Sequence, residues 1–548
     1  MHEFTTNVNP AAISDQQEQR QRWVVTAEQM QAIEARLFAA GMPVAALMEK
    51  VAGLITRQLV RWYPLSSTKC VGLLVGPGHN GGDALVVARE LHHQGYSVQV
   101  YCPVTTLKEL TASHFRYITS LGIPCYDRLD PLQTCDLLID GLFGVGLTRP
   151  VQGTIAAAID QVNQWSIPVA SIDLPSGLHT DTGEVLGTAI RATHTLCLGL
   201  WKRGLLQDHA LDYVGEATLI DFDCPLPEIT AVVGESPPVQ RITPAMAIVH
   251  LPLHRPPATH KYHMGHLLIV AGSRRYPGAA ILTGLGAKAT GVGMLTIAVP
   301  TSLKSLVLAH MPDAVVIGCP ETSEGTIVPS AMTELLTSNY SAIACGPGLS
   351  LDAGAVVSAI LADTRPLVLD ADGLNVLATM TAGADDASRP WIPRIAQRPA
   401  ATILTPHMGE FRRLFPHLQT HDRITLVQQA ATESGAIVLL KGARTTIAQP
   451  DGCTWINPNS TPALARGGSG DVLTGAIAGL LAQPSTLSGT HHATAITYTA
   501  TWWHAQAGIL AAQERTDLGV DALTLSQYLV PSARKTLSTL QPVGHDIP

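Results

Sequence analysis

Between Thr26 and Tyr63 the apolar positions recur every three or four residues, the period of a helix with one face in a core. "TAEQMQAIEARLFAAG" offers Thr26 as an N-cap and Gly41 as a stop, and "PVAALMEKVAGLITRQLVRWY" follows as a second helix. After it the period shortens. The runs "CVGLLV", "SVQVY", "CDLLID" and "PVASID" each end in a loop bearing Gly or Asp, with helical stretches between them. That alternation predicts a parallel sheet with helices on both faces. Near residue 225 the pattern lapses into "CPLPEITAVVGESPPVQRITP", proline-rich and weakly periodic, which reads as a linker over 225–238. The alternation resumes with "HLLIVAG", "GMLTIAV", "AIACG", "PLVLDA", "ATILT" and "AIVLLKG". The chain therefore divides into a first α/β domain over 23–224 and a second over 239–540. Their motifs do not align, so no internal repeat is read. Residues 1–22 are polar and predict a disordered tail.

Composition sharpens this picture in a few places. A chain of 548 residues exceeds one hydrophobic core, which agrees with two domains. Charged residues are sparse at 14%, while 47 glycines and 37 prolines suit a loop-rich α/β protein better than a helical bundle. The net charge of −8 gives no reason to expect nucleic acid or an anionic membrane as partner. Nine cysteines, none in CxxC spacing, read as buried or incidental thiols in a reducing compartment. No apolar run reaches about 18 residues, and the N-terminus lacks the apolar core of a signal peptide. A cytoplasmic protein is the expectation.

The candidate chemistry begins with "GPGHNGGDAL", between a strand and a helix. Gly76-x-Gly78-x-x-Gly81 spells a dinucleotide fingerprint, whose amides and helix dipole suit an anion. A hydride-transfer enzyme also needs an acid after the next strand, and "SVQVYCP" ends without one. Asp83 would repel a pyrophosphate placed there, so capping the helix and coordinating a cation both remain open for it. "CDLLIDGLFGVGL" and "PVASIDLPSGL" add Asp140, Asp173 and Ser176 at strand ends, along the sheet edge where ligands bind. One such carboxylate is commonly a turn residue, whereas several at strand ends, each followed by glycine, point to a site.

Together, "GPGHNGGDALVVAREL", "DGLFGVGL", "IDLPSGLHTDTG" and "LGLWKRGLL" resemble the NAD(P)H-hydrate epimerase domain, from about Trp23 to Cys224. The resemblance implies a Rossmann-like three-layer αβα fold and a potassium ion held by Asn80, Asp140 and Ser176. It also implies substrate contacts from His79, Asn80, Gly81, Gly82 and Asp83, from Gly144, Val145, Gly146, Leu147, Thr148, Arg149 and Pro150, and from Asp173. Asp173 is the expected catalytic acid/base for inversion at C6 of the hydrated nicotinamide ring. The chain departs from the family at His79, at Ala84, where glycine is common, and at Lys50, where asparagine is usual.

In the second half, "ARGGSGDVLTGAIAGLL" places Gly467, Gly468, Ser469 and Gly470 before Asp471 at a helix start. Two readings fit: an anion hole beside a proton acceptor, or a glycine-rich helix entry capped by Asp471. "TPHMGEF" and "LLKGARTTI" bring His407, Glu410, Lys441 and Gly442 to strand ends, and "IACGPGL" and "VLDADGLN" add two more loops. In this order the motifs resemble the ribokinase-like ADP/ATP-dependent NAD(P)H-hydrate dehydratases, over roughly 240–530. That resemblance implies nucleotide binding by Lys441, Gly442, Ala443, Arg444, Thr445 and Gly470. It places Ala279, Gly348, His407 and Asp471 on the hydrated dinucleotide, with Asp471 as catalytic base. Glu410 would organise magnesium. Thr461 and Ala463 stand where the family has Asn and Gly.

The combined expectation is a bifunctional metabolite-repair enzyme that interconverts R and S NAD(P)H hydrates and dehydrates the S form with ADP. Its cofactors would be K+ and Mg2+, and the family implies a homo-oligomer. Three rivals stand beside it. A ribokinase-like small-molecule kinase would release a stable phosphorylated product. A nucleotide-binding sensor would have lost turnover, and a dehydrogenase lacks its ribose-binding acid.

Overall fold

The computed structural model describes residues 10–255, 257–380, 389–485 and 487–540. They fall into two compact units, residues 1–240 and 241–548.

The first unit contains β1 (Val24–Val25), β2 (Cys70–Val75), β3 (Ser97–Tyr101), β4 (Cys125–Tyr126), β5 (Leu137–Gly141), β6 (Val169–Ile172), β7 (His194–Leu198), β8 (Trp201–Lys202) and β9 (Glu216–Ile220). Seven of these form one sheet in the order β4-β3-β2-β5-β6-β7-β9, and β1 pairs with β8 apart from it. Every recorded pairing in the sheet is parallel. Both faces are buried, as a parallel sheet requires. Val71, Leu73 and Val75 point into the core under helices Val44–Trp62 and His79–His93. Leu74 and Leu138 point into the core under helix Gly153–Val162. The period of two thus yields three layers. Thr26 caps helix Ala27–Ala39 in a reciprocal capping box with Gln29, and Gly41 follows its end at φ +105°.

At the division between the units stands β10 (Val239–Arg241), and the second unit contains β11 (His266–Val270), β12 (Met294–Pro300), β13 (Val315–Cys319), β14 (Ala342–Cys345), β15 (Leu367–Leu369), β16 (Thr402–Leu404), β17 (Ile437–Leu440), β18 (Thr446–Ala448) and β19 (Thr454–Ile456). Its sheet runs β10-β19-β18-β17-β16-β15-β14-β11-β12-β13. The pairings from β17 through β13 are parallel, and β17-β18 and β18-β19 are antiparallel. Leu267 and Ile269 enter one core and Leu268 and Val270 the other. Helices Pro277–Ala289 and Ser469–Leu481 cross in close contact. A Cβ on Gly286 would sit 2.1 Å from the Val472 carbonyl oxygen, and one on Gly475 would sit 1.9 Å from that of Thr283. Only hydrogen at both positions permits this approach.

Two sequence expectations change. The polar segment 1–22 was expected to be disordered. Residues 1–9 lie outside the described residues, but Pro10–Arg22 is a helix, and Arg20 Nε bonds Asp221 Oδ2 at 2.8 Å. Its pattern is polar because that anchor is ionic rather than apolar. The linker expected over 225–238 contains helix Leu226–Val233, which buries Ile229 and Val233. Strands β13, β18 and β19 were not read from the sequence. Among the described residues, no helix is long and apolar enough to cross a membrane.

Candidate active sites

In the first unit the glycine loop is shaped by backbone crowding. A Cβ on Gly76 would lie 1.8 Å from the Leu142 carbonyl oxygen, and one on Gly81 would lie 2.0 Å from that of Gly76. The helix then starts at His79 with Gly78 as N-cap and no side-chain cap. Asp83 is therefore not the cap. It is buried one turn into the helix, where burial first, then the charges of Asp173 and Glu34, push its carboxyl well above the ordinary range. His79 is held below the usual imidazole value by burial and by Lys108.

Asp140 ends β5 fully buried and takes four hydrogen bonds. Oδ1 accepts from Ser176 Oγ at 2.6 Å and Leu142 N at 3.2 Å, and Oδ2 accepts from Ser171 Oγ and Ser176 N, both at 2.8 Å. Burial still raises its pKa, because these donors are neutral and no basic side chain offsets the desolvation. Ser176 Oγ also lies 3.2 Å from the Phe143 carbonyl oxygen, and the buried Asn80 Nδ2 has no partner. A buried carboxylate without a counter-charge, beside hydroxyl, carbonyl and amide oxygens, fits a monovalent cation. Among the described residues no group of three His, Cys, Asp or Glu could hold a metal, so the setting is not that of a transition-metal site.

Asp173 follows β6 in the left-handed region at φ +68°, a strained conformation for a residue with a side chain. Its Oδ1 lies 2.5 Å from Lys202 Nζ and accepts from Leu198 N at 3.2 Å, while Oδ2 accepts from Val145 N at 3.3 Å. A Cβ on Gly144 would touch both Asn80 Oδ1 at 3.2 Å and Asp173 Oδ2 at 3.3 Å. Asn80, Gly144, Val145 and Asp173 are thus brought together, with Asp140 and Ser176 behind them. Gly146 and Thr148 to Pro150 lie exposed at the rim.

In the second unit, helix Ser469–Leu481 begins after Gly468, the left-handed N-cap at φ +88°, with no side-chain cap. Asp471 is the helix's third residue, so the capping alternative fails. Burial, then the Asp370 charge, pushes the Asp471 carboxyl up to about 7, against a lowering by Lys441. Asp370, at the end of β15, ties the site together: Oδ1 binds Lys441 Nζ at 2.7 Å and Oδ2 accepts from Thr474 Oγ1 at 2.6 Å. A Cβ on Gly470 would lie 3.3 Å from Lys441 Nζ. Buried His504 places Nε2 2.9 Å from the Ser469 carbonyl oxygen, and its pKa falls to about 4 through desolvation, so it stands neutral and donates.

His407 caps helix Met408–Leu414. Its Nδ1 accepts from Gly409 N at 2.9 Å and Glu410 N at 3.3 Å, and Glu410 Oε2 accepts from His407 N at 2.9 Å. The neutral ring then carries its proton on Nε2, on a side chain 56% exposed. Ala279 and Gly348 meet: a Cβ on Gly348, at φ +65°, would lie 2.9 Å from that of Ala279. Thr445 is buried and bonds the Gly442 carbonyl at 2.9 Å, while Gly442 and Ala443 are exposed and Arg444 is half-buried. At the departures from the family pattern, Thr461 Oγ1 bonds Asp517 at 3.0 Å and Ala463 is buried.

Sequence reasoning assigned no role to Lys202, Glu34, Asp370 or Thr474. Lys202 stood in "LGLWKRGLL" and Asp370 in "VLDADGLN", both recognisable stretches, but only the fold shows what their side chains reach.

A family model described as NAD(P)H-hydrate dehydratase matches residues 267–531, and one described as YjeF-related protein N-terminus matches residues 44–204. The chain is 53% identical over 516 residues to the bifunctional NAD(P)H-hydrate repair enzyme of Synechocystis sp., covering 94% of this chain and 96% of that protein. It is 52% identical over 519 residues to the enzyme of the same description from Thermosynechococcus vestitus, covering 94% and 98%. A crystal structure of the ADP/ATP-dependent NAD(P)H-hydrate dehydratase from Bacillus subtilis, co-crystallised with ATP/Mg2+, is 29% identical with a TM-score of 0.44, and the match covers 54% of this chain and 97% of that one.

Proposed function

The chain belongs to the bifunctional NAD(P)H-hydrate repair enzymes, and from that premise we propose how its two units divide the chemistry. The first unit epimerises NAD(P)H hydrates at C6, and the second dehydrates the S epimer at the expense of ADP. The observation that carries the division is a pair of buried carboxylates, each at a strand-end edge with its own cation: Asp173 against Lys202, and Asp370, beside Asp471, against Lys441.

In the first site the ring nitrogen lone pair expels the C6 hydroxyl as it gains a proton, and water returns on the other face. Asp173 moves the proton in both directions. The amides of the His79–Asp83 turn and the Gly144–Pro150 loop contact the dinucleotide. Asn80, Asp140 and Ser176 would hold K+, which supplies the positive charge that the buried Asp140 lacks.

In the second site Asp471 takes the C6 hydroxyl proton while that oxygen attacks the β-phosphorus of ADP and AMP leaves. The ring nitrogen then expels phosphate, and loss of a C5 proton restores NAD(P)H. Lys441 to Thr445 and Gly470 hold the nucleotide, and Ala279, Gly348 and His407 face the hydrated dinucleotide. Asp370, Glu410 and Asp471 all lie close enough to Lys441 to raise its pKa, more negative charge than one ammonium balances. Mg2+ carried with the nucleotide phosphates fits that excess, near Glu410, and would neutralise charge on the transferring phosphoryl group. The working form is proposed to be a cytoplasmic homo-oligomer.

The test is recovery of reduced-nicotinamide absorbance from mixed R and S NADPH hydrates with ADP, Mg2+ and K+. The intact chain should restore all of it. Asp173→Ala should stop after the S fraction, apart from slow spontaneous exchange, and Asp471→Ala should restore none. Recovery of the R fraction by Asp173→Ala at the intact rate would remove Asp173 from the mechanism. A stable phosphorylated product without recovered NADPH would favour the kinase reading.

A further inference from the structure

Lys202 is 1% exposed, and a lysine this deep is stable only when its charge is paired and its donors are used. Its ammonium has two acceptors, the Asp173 carboxylate at 2.5 Å and the Leu198 carbonyl oxygen. The same Leu198 gives its N–H to Asp173 Oδ1 at 3.2 Å. Asp173 Oδ1 is therefore engaged by two donors, Leu198 N at the end of β7 and Lys202 Nζ at the end of β8. Oδ2 is different: one long bond from Val145 N at 3.3 Å leaves it facing the Gly144 loop. The lysine is itself held rigidly. It ends β8, whose Lys202 pairs in parallel with Val25 of β1, while the Asp173 amide bonds the Leu196 carbonyl of β7 at 2.8 Å.

Glu34 from helix Ala27–Ala39 is close enough to feel both charges of this pair, Asp83 from helix His79–His93 feels Asp173, and Cys197 of β7 acts on the lysine. Burial raises the Glu34 pKa, and the Asp173 charge helps to raise that of Asp83. Burial alone would lower the Lys202 pKa, yet the Asp173 charge and hydrogen bond together with Cys197 and Glu34 outweigh it and hold the ammonium above the ordinary lysine value.

We infer that Lys202 is a positioning residue of the epimerase: it pins Asp173 Oδ1, so that Oδ2 is the oxygen that exchanges the proton with the substrate. The inference rests on Asp173 being the proton carrier.

The experiment follows conversion of purified R NADPH hydrate to the S form by chromatography, with the full chain and K+ but no nucleotide. The second unit is then silent. Rates are measured at pH 7 for the intact chain and for Lys202→Met, Lys202→Gln, Lys202→Arg and Asp173→Asn. The two neutral variants should lose about tenfold or more in kcat, with KM within about threefold. Lys202→Arg, which can still donate to Oδ1, should keep kcat within about threefold of the intact chain. A neutral variant at the intact kcat, or a loss of kcat matched by an equal rise in KM, would overturn the inference. If both neutral variants unfold, the arginine variant decides: kcat within about threefold supports the inference and a loss of about tenfold overturns it. Asp173→Asn at the intact rate would sink the premise. Asp173→Asn inactive beside unaltered lysine variants would sink only the role of Lys202.

Discussion

Replacing Asp471 with Asn should abolish dehydration and at the same time stabilise the second unit, by an amount that depends on pH. An unfolded aspartate titrates near 3.8, whereas burial and Asp370 hold the folded Asp471 at about 7. Folding therefore favours the protonated carboxyl. The cost appears once the pH passes the unfolded value, grows through the interval, and is complete above the folded value. At about 1.4 kcal/mol per unit, a shift of this size has a ceiling of about 4 kcal/mol above pH 8 and about 2 kcal/mol at pH 5. Asp471 is half-buried, and solvent relaxation lowers the expected gain at pH 8 to about 1–3 kcal/mol. The isosteric amide avoids that cost. Thermal unfolding of the intact chain and of Asp471→Asn should show the second unit's transition raised by several degrees at pH 8 and by much less at pH 5. A variant destabilised at pH 8, or stabilised equally at both pH values, would refute the electrostatic account. So would loss of dehydration without any change in stability. The trade is the familiar one in which an active site stores strain that the rest of the fold tolerates.

Other outcomes follow from the same geometry. The dehydration rate should climb about tenfold per pH unit below an acid limb near pH 7, because Asp471 must be ionised to accept the hydroxyl proton; a limb near pH 4 in a pH–rate profile would contradict this. Asp370→Asn should move that limb down, since it removes a charge that raises Asp471 and leaves Lys441 to lower it, and should slow turnover by releasing Lys441 and Thr474. Gly76→Ala should remove epimerase activity and destabilise the first unit by about 3 kcal/mol or more in a denaturant titration, whereas Gly78→Ala, with no atom within 4 Å of its Cβ position, should be tolerated. Asp140→Asn should weaken the K+ dependence of epimerisation in a potassium titration with sodium as the control, because it removes the only carboxylate among the proposed ligands.

Much of this was legible in the string. Thr26 and Gly41 bounded their helix, and alternating runs such as "CVGLLV" and "HLLIVAG" became buried parallel strands. Those signals are local: a cap, a period, a glycine. The motifs went further, since joint matches over several loops separate a repair enzyme from a dehydrogenase on one glycine fingerprint. Pattern failed where stability was ionic or the element short, as in helix Pro10–Arg22, helix Leu226–Val233 and strands β18 and β19.

By itself, then, the sequence determined the two α/β units and the carboxylates at their strand ends, because periodicity and turn chemistry are written in neighbouring residues. Which charge each carboxylate meets was decided only by the tertiary structure. Asp173 meets Lys202 and Asp471 is crowded by Asp370 through contacts between residues 29 and 101 positions apart in the chain. Protonation follows desolvation and the nearest charge, and both are properties of packed space that no local run of residues encodes.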